Sequence, residues 1–301
     1  MKVRGFLRIF FLLTVAGLAN NACKKLDLEE ELDEDVWIQD FEFTTDFKVK
    51  QIYKTGEGVD NKCYGQTGQG VAVRDKIMYR VYDTGYCQTF DISDLTKPQK
   101  LATFSLGSRW GTNHANCAQA CLDDNGDVLL YVSGLNGGKT FVERMTTTGS
   151  TLVQTITLSP LEILGNTVAL NCVCCDDGFL WYFGSGGDKL YYAKTRKPLL
   201  SEGDVTLGMD DILDFWFESG YVYREDVWQG GKVYGNFLFF LFGASGTTAH
   251  LVVFDTRAHK RILDIDLSGV VKEEPEDCEL IPQGILVVTN GGNYYYLVRP
   301  E

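Results

Sequence analysis

The chain has 301 residues, of which 45% are apolar, with 32 glycines, six prolines and a formal net charge of −13. Such a composition suits a soluble globular body with many tight turns. The acidity and the lack of any Lys/Arg cluster exclude nucleic acid as a partner, because phosphate recognition needs clustered cations.

Residues 1–22 read as a signal peptide. Lys2, Arg4 and Arg8 make a basic start, and Phe6 to Ala19 is an apolar run too short for a stable span. The run Leu18-Ala19-Asn20-Asn21-Ala22-Cys23 resembles the lipobox of bacterial lipoproteins. That resemblance implies cleavage before Cys23 and lipidation of its thiol; the alternative is cleavage after Ala19 or Ala22 and a free secreted chain. Residues 23–40 carry eight acids against two lysines, so the segment repels itself into an extended tether. An acidic run after a lipidated Cys resembles the surface-export signal of Bacteroidetes lipoproteins. It implies a lipid-anchored protein of the outer membrane, displayed at the cell surface and touching the membrane through its lipid only. A plain solvated linker explains the same residues.

The body, residues 41–301, reads as one repeating domain. Its clearest unit runs from Gln69 to Phe104: Gly70 to Val73, Lys76 to Tyr82, Cys87 to Asp91 and Lys100 to Phe104, divided by turns. Short β-branched and aromatic runs between turn residues predict an antiparallel meander. Equivalent first strands are expected at Asn116–Ala120, Leu170–Cys174, Tyr221–Glu225 and Asp277–Leu280, at intervals of 46 to 56 residues. Polar turns follow them, among them Asp123 to Gly126 and Gln229-Gly230-Gly231, and then strongly apolar second strands such as Phe237 to Phe242. Fourth strands are expected at Leu152–Leu158, Val205–Leu207 and Arg261–Ile265.

A period near 50 with four strands per unit is the pattern of a β-propeller. The reading is all-β, a five-bladed propeller, with six blades as the alternative count. The last unit lacks its own fourth strand, and Phe47–Tyr53 is left over. Pairing this strand with Asn293–Leu297 closes the ring and removes two exposed sheet edges. Asp91-Ile92-Ser93-Asp94-Leu95-Thr96-Lys97-Pro98 resembles the LVIVD-type repeat element of bacterial surface propellers. The whole chain is similar to propeller lipoproteins of Bacteroidetes, a likeness that implies location and carries no catalytic residues.

Candidate chemistry gathers where one unit connects to the next. Arg109, Trp110, His114 and Asn116 lie in one such connection, and Glu274, Glu276 and Asp277 in another; Asn171 and Arg224 occupy comparable places, as do Gln69, Asn166 and Glu225. An Arg, a stacking Trp and amides suit a polar ligand. His114 either joins that grip or caps its loop, and the acids either act on a ligand or solvate a turn. Eight cysteines follow Cys23. An even count permits disulfides, but placement on first strands favours small buried thiols. Cys172-Val173-Cys174-Cys175 lacks a second ligand pair at zinc spacing, so no metal and no cofactor is expected. The favoured function is binding of an extracellular glycan or protein on the axial face. Alternatives are a glycosidase or lyase using Glu274, Glu276 or Asp277 with His114, and a structural subunit of an envelope complex.

Overall fold

The computed structural model describes residues 47–54, 62–63, 66–112, 114–135, 137–176, 178–220, 227–244, 248–290 and 294–300. The signal peptide, Cys23 and the acidic tether lie outside these residues, as do Arg224 and Glu225. Among the described residues the only helices are two 3₁₀ turns, Leu200–Glu202 and Met209–Asp211.

Strand β1 (Phe47–Lys54) is followed by β2 (Lys62–Cys63), β3 (Gln66–Arg74), β4 (Ile77–Tyr82), β5 (Tyr86–Asp91) and β6 (Gln99–Ser105). Strands β2 to β6 form one sheet in chain order. The next holds β7 (Cys117–Leu122), β8 (Val128–Ser133), β9 (Lys139–Met145) and β10 (Ser150–Leu158). A small hairpin follows, β11 (Leu161–Ile163) with β12 (Asn166–Val168). A four-stranded sheet is made by β13 (Cys172–Cys175), β14 (Phe179–Gly186), β15 (Lys189–Arg196) and, after β16 (Val205–Leu207), by β17 (Ile212–Ser219). Another is β18 (Trp228–Tyr234), β19 (Phe237–Ala244), β20 (Thr248–Asp255) and β21 (Lys260–Asp266). The last contains β22 (Pro275–Ile281), β23 (Gly284–Thr289) and β24 (Tyr294–Pro300), and β1 joins it.

That last junction is the expected closure. β1 pairs antiparallel with β24, Val49 opposite Val298 and Lys50 opposite Leu297. The N-terminal strand thereby covers an edge that would otherwise be open to pairing. The strands at the inner edges pack in a cycle, β22 on β3, β3 on β7, β7 on β13, β13 on β18 and β18 on β22. This is a β-propeller arrangement.

The second strands are buried on both faces because each sheet is sandwiched between neighbours. On β4 and β5, Met78 and Phe90 join Ile281, Leu286 and Val288 of the β22 sheet. Tyr79, Val81 and Cys87, pointing the other way, join Leu130 and Val132 of the β7 sheet. Alternate residues of one strand thus feed two different cores. Phe183, Tyr192 and Trp216 of the β13 sheet meet Phe240, Val252 and Phe254 of the β18 sheet in the same manner.

Two expected strands need correction. The partner of Phe237–Phe242 is Trp228–Tyr234, not Tyr221–Glu225, so Gln229-Gly230-Gly231 lies inside a strand and the turn falls at Gly235-Asn236. The glycine is there for clearance: a Cβ on Gly230 would meet the Asn116 carbonyl at 2.1 Å and Asp277 Oδ1 at 2.5 Å. Val205–Leu207 is not the outer strand of its own sheet. It pairs parallel with β10, Ile156 opposite Val205, and β17 takes the outer place.

Candidate functional site

Three inner strands slip register at the same end of the ring: β3 between Gly68 and Val71, β18 between Trp228 and Gly231, and β22 between Pro275 and Asp277. A bulge breaks the strict in-out alternation and re-aims side chains. On β22 the slip falls at Glu276, the extra residue between Pro275 opposite Thr289 and Asp277 opposite Val288. At this level a cavity of about 280 Å³ opens, lined from β3 by Thr67 and Gln69 and from β18 by Trp228 and Gln229. Glu274 and Glu276 enter from β22 and its approach, and His114 and Asn116 from the connection into β7. Val227, just ahead of β18, also lines it, as do Asp83, Leu135 and Asn290, each of these three lying just beyond the end of a second strand.

The walls are tied together by amides and carboxylates. Asn116 donates from Nδ2 to Gln229 Oε1 (3.0 Å) and to Glu276 Oε2 (3.3 Å). Gln229 donates from Nε2 to Glu274 Oε1 (3.0 Å) and to the Gly243 carbonyl (3.1 Å). Asn290 donates to Glu274 Oε2 at 2.6 Å. His114 holds a left-handed backbone, φ 46°, uncommon for a non-glycine residue. Its Nδ1 stands 3.5 Å from Asp83 Oδ1, so it both lines the mouth and faces an acid.

Burial sets the electrostatics. It pushes the Glu276 carboxyl well up, helped by nearby Glu274 and Asp83 and opposed by Arg80. Asp83 is also raised by burial, with His114 pulling the other way. Arg80 does not line the cavity. Its guanidinium donates to the carbonyls of Gln69, Gly70 and Thr289, oxygens at the slipped ends of the β3 and β23 ladders.

Beneath the cavity sits a buried ion pair. Lys232 is 1% exposed and Asp277 0%, and Lys232 Nζ lies 2.9 Å from Asp277 Oδ2. The ammonium also donates to the Ala118 carbonyl at 2.6 Å, and the carboxylate accepts from the amides of Val71, Ala118 and Cys278. Burial pulls the Lys232 pKa down, but Asp277 and Glu279 lift it above its ordinary value. For Asp277 burial pushes upward against Lys232 and the Val71 amide. Three amides and an ammonium donate to this carboxylate and favour its ionised form against burial and the nearby Cys117. Asp277 thus ties β22 to β3, β7 and β18.

The placement of the expected residues is mixed. His114, Asn116, Glu274 and Glu276 line the cavity, with Gln69. Asp277 belongs to the structural pair below it and is removed from the ligand-facing group. Arg109 and Trp110 do not reach the cavity; Trp110 is 86% exposed, and Arg109 lies 4.0 Å over the Tyr86 ring and 4.2 Å over that of Trp110. Asn171 instead accepts from the Gly138 amide at 3.1 Å, serving the neighbouring sheet. Gln229, Asn290, Asp83 and Trp228 were not expected. Among the described residues no group of three or more His, Cys, Asp and Glu side chains could hold a metal ion. Cys63, Cys87, Cys117, Cys121, Cys174, Cys175 and Cys278 are buried, and Cys121 Sγ lies 3.0 Å from Cys175 Sγ.

No protein-family model matches the sequence, and no curated protein matches it. Solved structures do match by fold. The tail fibre of Staphylococcus aureus phage P68 aligns over 91% of this chain at 13% identity, TM-score 0.54. An exo-β-1,3-galactanase from Phanerochaete chrysosporium, solved with galactose, aligns over 83% at 11% identity, TM-score 0.50. The chain spans 56% and 64% of those two proteins, less than two thirds of either. Likeness at this identity shows the propeller fold alone.

Proposed function

We propose that this chain is a five-bladed propeller which binds one hydroxylated ring, a sugar residue of an extracellular glycan, in its axial cavity. The cycle of inner strands supports five blades, each large sheet supplying one. The observation that carries the function is the convergence of Glu274, Glu276, Asn116, Gln229 and Asn290 beside Trp228 around about 280 Å³. Carboxylates and amides take paired hydroxyls, and an indole offers an apolar face to a ring. The volume is just under the ~300–1,000 Å³ of sites for drug-sized molecules, so it suits one residue rather than a long chain. The reading includes the address expected from the leader: cleavage before Cys23, a lipid on its thiol, and display outside the cell on an acidic tether.

Screening the protein on a glycan array, beside Leu135→Trp, tests this. Leu135 stands at the rim, 48% exposed, so a larger ring there obstructs the cavity while leaving the sheets intact. Wild type should retain a defined set of glycans and the variant should lose them with an unchanged Tm. Equal binding by the variant would move the site elsewhere.

A second reading follows from Glu276, whose raised carboxyl opens on the cavity beside two further acids. A carboxylic acid held protonated can give its proton to a leaving glycosidic oxygen while a second carboxylate serves the other face of the sugar. Asp277 takes no part, being buried under Lys232. Hydrolysis of aryl glycosides that disappears in Glu276→Gln would favour this reading, and none in wild type would discard it.

A further inference from the structure

The cavity is rich in acceptors and poor in donors. Its walls present the carboxyl groups of Asp83, Glu274 and Glu276, and among the described lining residues there is no Lys or Arg. The amide donors of Asn116, Gln229 and Asn290 are already engaged with those walls. Arg80 spends its guanidinium on three backbone carbonyls behind them. Two buried acceptor atoms on lining residues have no hydrogen-bond partner, Asp83 Oδ1, which stands 3.5 Å from His114, and Oε1 of Gln69, a residue 3% exposed. Leaving a buried acceptor unmade costs more than a typical bond returns, so such an atom points to a donor that arrives with a ligand.

We infer that the ligand residue is an amino sugar with a free ammonium group, seated so that the ammonium serves Gln69 Oε1 and the Glu274 and Glu276 carboxylates. This inference rests on the glycan reading above and narrows it. An ammonium brings three donors and no acceptor, which matches what the walls lack. Its charge also favours the ionised form of Glu276 and Asp83, which burial disfavours, and a charge-assisted bond is about twice as strong as a neutral one. A uronic acid or other anionic sugar would bring a carboxylate against three carboxyl groups, with no Lys or Arg among the described lining residues to receive it. An N-acetylated sugar would lose two donors and the charge together.

Titration calorimetry of the full chain distinguishes these ligands. Glucosamine, N-acetylglucosamine, glucose, glucuronate and putrescine serve as probes, as free molecules and, for the sugars, as short oligomers. Glucosamine should bind roughly tenfold or more tightly than N-acetylglucosamine and glucose, with glucuronate weakest, the difference expected of hydrogen bonds to charged groups. Putrescine, an ammonium without the hydroxylated ring, should also bind at least about tenfold more weakly. Glu274→Gln and Gln69→Leu should each pull the glucosamine to N-acetylglucosamine affinity ratio toward one, a readout that general loss of folded protein does not move. If N-acetylglucosamine or glucuronate binds as tightly as glucosamine, the inference is overturned and the glycan reading stands. Putrescine binding as well as glucosamine would overturn it in favour of a polyamine site. If none of the sugars binds, the glycan reading falls with it.

Discussion

Lys232→Met should be the most informative stability variant in the chain. It removes the ammonium that stands 2.9 Å from Asp277 Oδ2 and 2.6 Å from the Ala118 carbonyl, at a point 1% exposed. Asp277 keeps the amides of Val71, Ala118 and Cys278 but loses its counter-charge. Breaking a buried pair from one side costs about 3–5 kcal/mol. At about 2–4 °C per kcal/mol for a domain of this order of size, Tm should fall by roughly 6–20 °C. The loss should also depend on pH. With Lys232 gone, burial and the nearby Cys117 act on Asp277 against the remaining amides only and hold its folded pKa above the unfolded value of about 3.9. The folded state then binds more protons than the unfolded one between those two values, so stability falls as pH rises through that window. The variant should lie closer to wild type at pH 5 than at pH 8. Adding Asp277→Asn removes the charge but keeps an acceptor for the amides, and the double variant should melt above Lys232→Met. Denaturant and thermal melts of the four proteins of this cycle provide the measurement. A Lys232→Met protein that melts within about 2 °C of wild type, or a double variant less stable than the single, would refute the argument.

Trp110→Ala should cost no more than about 1 kcal/mol, because the ring is exposed and its cation–π contact with Arg109 lies at the surface; a larger fall in Tm would mean the ring packs. Burial pushes the thiols of Cys87, Cys174, Cys175 and Cys278 well up, so none should react with iodoacetamide at pH 8 in the native protein, and all should react on unfolding, as read by intact mass. Deleting residues 41–55 strips β1 from β24 and should abolish cooperative unfolding; a truncated chain that melts like the full one would overturn the closure.

Much of the fold was legible because the period of the apolar runs is a property of the strands themselves. The closure could be read from a surplus strand at one end of the chain and a missing one at the other. The misreadings have physical causes. Gln229-Gly230-Gly231 has the composition of a turn, but its glycine serves a close backbone approach at the axis, and the two uses look alike in sequence. Val205-Thr206-Leu207 has strand composition, yet its partner is the edge of the preceding sheet. At the site, Glu274, Glu276, His114 and Asn116 were visible because they sit at the entries to inner strands. Asp83 and Asn290 were not, because they lie past the far ends of second strands and reach the same mouth only through the hairpin geometry.

Four of the nine ligand-facing candidates line this mouth, Arg224 lies outside the described residues, and the slipped register of β22 accounts for Glu276 among the four. Where a strand keeps its alternation, every second residue is turned into the cores between sheets and cannot serve the axis. Neither β7 nor β13 slips, and β7 reaches the cavity only through the segment that precedes it, while Asn171, just ahead of β13, bonds to Gly138. β3, β18 and β22 do slip, and each frees backbone or side chains for the axis at one level. The freed carbonyls on the β3 side are met by Arg80, and the Gly231 carbonyl by Cys174 at 2.8 Å. With the backbone satisfied in this way, the side chains above it remain for the ligand, and on β22 two consecutive acids divide the work. Asp277 binds the ring together from below, and Glu276, a single residue earlier, faces the space that the bulges open.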